Sequence, residues 1–238
     1  MEELCDEYQS MPTGYYDEVF KVGLKKKKGL QYSWHDLKFS TVKNNFPSTY
    51  KTHLDIACGP GTFIGNYLDQ RSIGIDIAKN QINYANRTYA SQPTSFHVKD
   101  MYEVLNSDEK FDVITLLEFI EHIEPDEVNS LIKSLYFKLN KKGRIIITTP
   151  NYKGFWPILE KIISIKGPVD YRIQHINKYD IERIKSELKY EKLKIKKYIN
   201  FGIFFSIFNT KLGNKISSYI NKFFRAYFGY SLIITIEK

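Results

Sequence analysis

Asp55 lies inside an apolar run, four residues before the first glycine of "LDIACGPGTF" (Leu54 to Phe63), and its position bears on what that turn can hold. A glycine turn between a strand and a helix is a cradle for a nucleotide, because its amides and the helix N-terminus favour anionic or polar groups. A carboxylate inside the strand would repel a pyrophosphate and suits a ligand that carries an amine or another cation. The turn, Gly59-Pro60-Gly61-Thr62-Phe63, also lacks the third glycine of the strict dinucleotide fingerprint. Asp76 follows about twenty residues beyond the turn, where an acidic side chain accepts hydrogen bonds from ribose hydroxyls. Asp100 is placed to accept from an adenine amino group, with Met101 able to lie on the ring. Three acids without a compensating arginine describe a nucleoside that carries positive charge. S-adenosylmethionine, with its ammonium and sulfonium, fits better than NAD.

A second constellation is "EFIEHI", with Glu118, Glu121 and His122 just past a strand. These oxygen and nitrogen donors suit a hard or borderline divalent cation. They equally suit proton removal, which gives His122 a role as general base if the acceptor is a phenol or alcohol. A purely structural histidine is the third reading. The sulfonium is already a good leaving group, so the protein mainly has to align an attacking atom and exclude water.

The elements that must position these groups alternate regularly. Strands are expected at "THLDIA", "SIGIDI", "SFHVKD", "FDVITLL" and "GRIIITT", with helices at "GTFIGNYLDQ", "KNQINYANRTYAS" and "PDEVNSLIKSLYFKL". The fifth strand follows a glycine that would close the preceding helix. Ahead of them "YSWHDLKFSTVKNNF" reads as a helix capped by Ser33. After Thr149 the pattern loosens, then gives a helix "KYDIERIKSELK", a strand "KLKIKKYI" and a terminal strand "SLIITIE". Such alternation argues an α/β fold with a doubly wound parallel sheet, which binds ligands at the carboxyl ends of its strands.

Together, "LDIACGPGTF", "GIDIA", "FDVITLLEFIEHI" and "GRIIITTPN" resemble the class I S-adenosylmethionine-dependent methyltransferases, closely over residues 50 to 150. The resemblance implies a Rossmann-like seven-stranded sheet with the last strand antiparallel and helical insertions on the substrate side. It implies Asp55, Gly59 and Gly61 around the methionine part, Asp76 on the ribose, and Asp100 and Met101 at the adenine, with Ala57 and Ile77 also among the cofactor-binding residues. Leu117 or Glu118 would form the wall near the methyl group, with His122 and Glu118 as the catalytic candidates. In members similar to the ubiquinone-biosynthesis O-methyltransferases and in those that methylate small-RNA 3′ ends, a matching Glu, Glu, His set can hold Mg or Mn. Here the corresponding ligands would be Glu118, Glu121 and His122, with His175 in "YRIQHINKY" as a fourth. The expected reaction is O-methylation of a hydrophobic small molecule or lipid-linked acceptor. An RNA 2′-O-methyltransferase and a catalytically silent cofactor-binding protein stay open beside it.

With 238 residues, 42% hydrophobic and 26% charged, the chain is expected to form one domain, 1–238. It divides into an N-terminal helical extension (1–50), a cofactor core (50–150) and two substrate-side insertions (151–178 and 200–229). Cys5 and Cys58 are too few for a disulfide framework or a zinc site. The N-terminal stretch lacks a secretory pattern and no long apolar run occurs, so a cytoplasmic protein is expected. The net charge of +8 is spread mainly over scattered lysines, and no nucleic-acid-binding signature accompanies it. In the second insertion Leu212, Ile216, Tyr219, Ile220, Phe223, Phe224 and Tyr227 share one helical face, with lysines opposite. That segment, 201–228, would lie on the inner membrane face or pack its aromatic side on the domain as a lid.

Overall fold

The computed structural model describes residues 12–166, 171–197, 205–224 and 229–238. Two helices, α1 (Tyr15–Lys26) and α2 (Leu30–Lys43), precede β1 (Thr52–Ile56), α3 (Thr62–Tyr67), β2 (Arg71–Asp76) and α4 (Lys79–Tyr89). The chain continues through β3 (Thr94–Val98), α5 (Met101–Leu105), β4 (Phe111–Leu117), a short turn of helix at Ile120–His122 and α6 (Pro125–Phe137). Then come β5 (Leu139–Pro150), α7 (Trp156–Lys166), α8 (Tyr171–Gln174), α9 (Ile181–Glu187), β6 (Leu193–Lys197), α10 (Thr210–Phe224) and β7 (Ser231–Glu237).

The sheet has seven strands in the order β3-β2-β1-β4-β5-β7-β6, parallel except for β7, which runs antiparallel to both β5 and β6. From β1 the chain winds outward to β3 and returns to β4, so the order reverses between β1 and β4. That reversal opens a crevice at the carboxyl ends of these two strands.

Each central strand is covered on both sides, and the period of two sorts its residues. Leu54 and Ile56 face a layer with Ile114 and Leu116 of β4 and Val128, Leu131 and Leu135 of α6. On the other side, Phe63 and Val113 pack with Phe20 of α1, Phe39 and Val42 of α2, and Trp156 of α7. The N-terminal helices are thus part of the core.

Several local expectations change. α2 begins at Leu30 behind Gly29, and Ser33 is a buried residue inside it rather than its cap. α1 and α5 have no counterpart in the sequence reading. β5 begins at Leu139, so Gly143 lies within the strand instead of closing α6. An added Cβ there would sit 2.9 Å from the Asn140 carbonyl oxygen, which explains why a glycine serves at this tight bend. α10 turns Thr210, Gly213 and Ser217 inward and leaves Leu212, Tyr219 and Phe223 exposed. Among the described side chains of its apolar face, Ile216 and Ile220 are half-buried while the rings of Tyr219 and Phe223 stand in solvent. Phe224 ends α10, whereas Tyr227 and Cys5 lie outside the described residues.

Candidate functional site

Two non-glycine residues with left-handed backbone stand side by side at the crevice, Ala57 (φ 57°) directly after β1 and Glu118 (φ 54°) directly after β4. The register pairs Ile56 with Leu116, so the two chains leave the sheet together. Backbone of this kind is uncommon outside glycine and gathers at functional sites.

Asp55 is buried in β1 opposite Thr115 of β4. Thr115 Oγ1 donates to Asp55 Oδ1 at 2.5 Å and takes a hydrogen bond from His53 Nε2 at 2.8 Å. Burial pushes the Asp55 carboxyl up to about 7, against the Thr115 hydrogen bond and with help from nearby Asp76. His53 is held down at about 3 by burial, so it supplies no compensating charge. A buried carboxyl poised in this way gains from a bound cation.

Asp76 ends β2 and closes the glycine turn. Its Oδ2 accepts from the Gly59 amide and its Oδ1 from the Ala78 amide, both at 2.8 Å. Burial raises its pKa while those amides oppose the rise. Gly59 (φ 52°) has open space where a Cβ would be, whereas a Cβ on Gly61 (φ 76°) would strike the Phe96 ring at 2.7 Å. The first glycine leaves room for a ligand, and the second lets α3 pack. The structure makes Asp100 the cap of α5: its Oδ1 accepts from the Tyr102 amide at 2.8 Å, and its own amide donates to the Glu103 carboxylate at 3.1 Å. Met101 is buried behind it, while Ile77 is exposed at the end of β2.

Across the crevice, Glu121, His122 and His175 come together, with one ligand atom of each within 4.8 Å of the others. Glu118 is not in that set, but its charge raises the pKa of both Glu121 and His175. Glu121 is buried, accepts from Thr149 Oγ1 at 3.0 Å, and is pushed well above the carboxylate range by burial and then by Glu118. Glu121 Oε1 and Glu118 Oε1 are buried without a hydrogen-bond partner among the described residues. His122 donates Nδ1–H to the Gln174 carbonyl at 3.1 Å, which places its lone pair on Nε2. Burial, then His175, holds it at about 3. His175 directs Nδ1 at Glu160 Oε1, 2.8 Å away, and burial lowers it against the pull of that carboxylate. The same Glu160 oxygen accepts from Tyr152 Oη at 2.6 Å and Trp156 Nε1 at 3.2 Å.

Sequence reasoning passed over Glu160 and Lys38. Glu160 is an acid within an apolar run, the same signal that marked Asp55. Lys38 is only 5% exposed and forms no hydrogen bond or ion pair among the described residues. Its charge acts on both Asp55 and Glu121. It stands four residues from Trp34 and from Val42, so helix arithmetic places it on their inward face.

A family model described as "Methyltransferase domain" matches residues 29–193, more than half of the chain. The chain is 32% identical over 102 residues to a "Ubiquinone biosynthesis O-methyltransferase" of Rickettsia bellii, covering 41% of each. It is 26% identical over 112 residues to "Sphingolipid C9-methyltransferase 1" of Gibberella zeae, covering 44% of this chain and 22% of that one. The matches thus span well under half the length of these curated relatives. The solved structure of the plantazolicin methyltransferase BpumL in complex with SAH shares the fold, with a TM-score of 0.62 at 17% identity, over 99% of this chain and 93% of that one. The fold, the crevice and the family match agree: the chain belongs to the methyltransferase-domain family, among the class I S-adenosylmethionine-dependent methyltransferases.

Proposed function

We propose that the chain methylates an oxygen of an apolar small-molecule or lipid-linked acceptor. The observation that carries this reading is the pairing, across one crevice, of a cation-accepting pocket (Asp55, Asp76, Gly59) with a buried neutral imidazole, His122. The names of two relatives support the acceptor class, one serving ubiquinone biosynthesis and one acting on a sphingolipid.

S-adenosylmethionine supplies the methyl group from its sulfonium. Asp55 would hold the ammonium and Asp76 the ribose, and the space at Gly59 would admit the ligand against the turn; Asp100 and Met101 would border the adenine. The walls at Leu117 and Glu118 align the acceptor and exclude water. As the C–S bond breaks and the C–O bond forms, His122 Nε2 takes the acceptor's proton, leaving S-adenosylhomocysteine (SAH) and a methyl ether. An oxygen that has gained a methyl group is strongly acidic, so a base held near 3 suffices. His122→Ala should lower kcat about 10²- to 10⁴-fold while SAH affinity stays unchanged. Labelled methyl transfer into fractionated lipid, RNA and small-molecule pools tests the acceptor: label confined to the RNA pool would refute an apolar acceptor.

The orphaned oxygens of Glu118 and Glu121 favour a second reading, a divalent cation such as Mg or Mn. The donor set fits: the Glu121 carboxylate and two imidazoles whose Nδ1 atoms are held by the Gln174 carbonyl and Glu160, an arrangement that orients metal-binding histidines, with Glu118 adding negative charge beside them. A bound cation there would lower the pKa of the acceptor hydroxyl. Full turnover after exhaustive chelation would exclude it.

A further inference from the structure

The run Lys25 to Lys28 ends α1, far in sequence from the aromatic second insertion, yet the fold joins them. The amide and hydroxyl of Thr210 both bond the Lys27 carbonyl, at 3.4 and 3.0 Å, and the Gly29 amide bonds the Ser206 carbonyl at 2.9 Å. The start of α10 is thereby fixed against the end of α1. Lys25 to Lys28 are all exposed, as are Lys211, Lys215 and Lys222. Interleaved with them, Phe208 is 78% exposed, Tyr219 66% and Phe223 60%, with Phe205, Ile207 and Leu24 also in solvent.

The cause lies in α10 itself. Its inward side is Thr210, Gly213 and Ser217, small enough for close approach; a Cβ on Gly213 would meet the Ser206 backbone at 2.6 Å. With the small side inward, the apolar arc of Leu212, Tyr219 and Phe223 must face outward, and Lys211, Lys215 and Lys222 flank it. Charge reinforces the pattern. No Asp or Glu occurs between Lys192 and Ile236, nor between Val19 and His35.

We infer that this composite face of α1 and α10 docks on an anionic membrane surface. Exposed aromatic and aliphatic side chains insert at the headgroup boundary, and lysines at their flank pair with anionic lipid. A second copy of the chain fits poorly, because a two-fold contact would press the same lysines together. Nucleic acid would use the rings of Phe208, Tyr219 and Phe223 but leave the aliphatic Leu24, Ile207 and Leu212 in water, whereas a lipid surface covers both kinds of side chain. Among the described residues no helix is long and apolar enough to cross a membrane.

The test is sedimentation of the full chain with phosphatidylcholine vesicles, with and without about 30% phosphatidylglycerol. Binding is expected to the anionic vesicles, at least roughly tenfold tighter than to the neutral ones, and to fall in high salt. Phe208→Ser with Phe223→Ser should abolish it, and Lys26→Gln, Lys28→Gln, Lys211→Gln and Lys215→Gln should each cost roughly fivefold. All these positions are exposed, and an unchanged melting temperature and SAH affinity confirm the fold. Vesicle binding is independent of the acceptor's identity, so failure of one leaves the other standing. Equal affinity for both vesicle types, no affinity for either, a dimer that F208S dissociates, or binding to a single-stranded RNA oligomer that competes with vesicles would each overturn the docking face.

Discussion

Asp55 makes cofactor affinity depend on pH with a definite sign. Its carboxyl titrates near 7 in the unliganded chain, shaped by burial, Thr115, Asp76 and Lys38, and a bound ammonium stabilises only the ionised form. SAH affinity should therefore be flat above pH 7 and fall about tenfold per unit below it. Calorimetric titration between pH 5.5 and about 8 checks this, and Asp55→Asn should be weak and flat throughout. The unliganded chain runs the opposite way: a carboxyl raised by folding contributes stability below its unfolded value, about 3.9, that is lost as pH rises through about 7. Lys38 supplies the complementary charge. Lys38 lies over the Phe39 ring at 5.3 Å and has no ion pair among the described residues, and a buried ammonium gains from a ligand anion; the cofactor's methionine end carries a carboxylate beside the ammonium proposed for Asp55. Lys38→Met should then weaken SAH roughly tenfold or more and leave methylthioadenosine, which lacks the amino-acid end, unaffected. Equal losses for both ligands would mean that Lys38 acts on the fold. Asp76→Ala should cost about 1 to 3 kcal/mol of SAH binding, since Asp76 holds the Gly59 amide and is the proposed partner of the ribose.

The glycine turn separates two duties that look alike in sequence. Gly61→Ala adds left-handed strain to a clash with Phe96 and Ala85, and should lower stability by about 2 to 4 kcal/mol in urea unfolding. Gly59→Ala meets open space and should cost only about 1 kcal/mol of stability, while SAH affinity falls as the methyl group enters the ligand's place. The sequence placed both glycines at the turn but could not rank them, because Phe96 approaches from β3, two strands away. The same division holds elsewhere. Strands β1, β2 and β4, and the acids at their ends, were legible because short apolar runs break at turn residues next to the site. The start of β5 was not, since Asn140, Lys141 and Lys142 carry no strand-like pattern: Leu139 pairs with Phe111 and Arg144 with Val113, the residues between them lie in a register shift, and the Asn140 side-chain amide donates to Asp112 at 2.8 Å. Periodicity also grouped Leu212, Tyr219 and Phe223 on one side of α10, as found. It could not tell which side would turn inward, a choice made by Gly213 against Ser206. Asp100 shows the limit from the other direction: an acid at a strand end also caps the helix that follows, and α5 was too short to read.

At the scale of the molecule, the crevice gathers groups from the length of the chain: Lys38 of α2 acts through its charge on Asp55 and Glu121, β1 and β2 carry the acids and turn, β4 and the turn after it Glu118 to His122, and the far wall Tyr152, Glu160 and His175. Core packing ties these walls together, as Trp34 of α2 lies 5.6 Å from Trp156 of α7 and 5.7 Å from Tyr230 before β7. A ligand that bridges the walls is bound by the folded chain alone, so its binding energy adds to global stability. SAH at about a hundred times its Kd should stabilise the chain by about 2.7 kcal/mol. For a chain of this size that corresponds to a rise in Tm of about 5 to 11 °C. NADH at the same concentration should give no shift, because its pyrophosphate would meet the Asp55 carboxylate and a turn that lacks the third glycine. Differential scanning fluorimetry at pH 8, above the Asp55 transition, separates the two ligands. A shift with NADH and none with SAH would reverse the assignment of Asp55 to a cationic ligand.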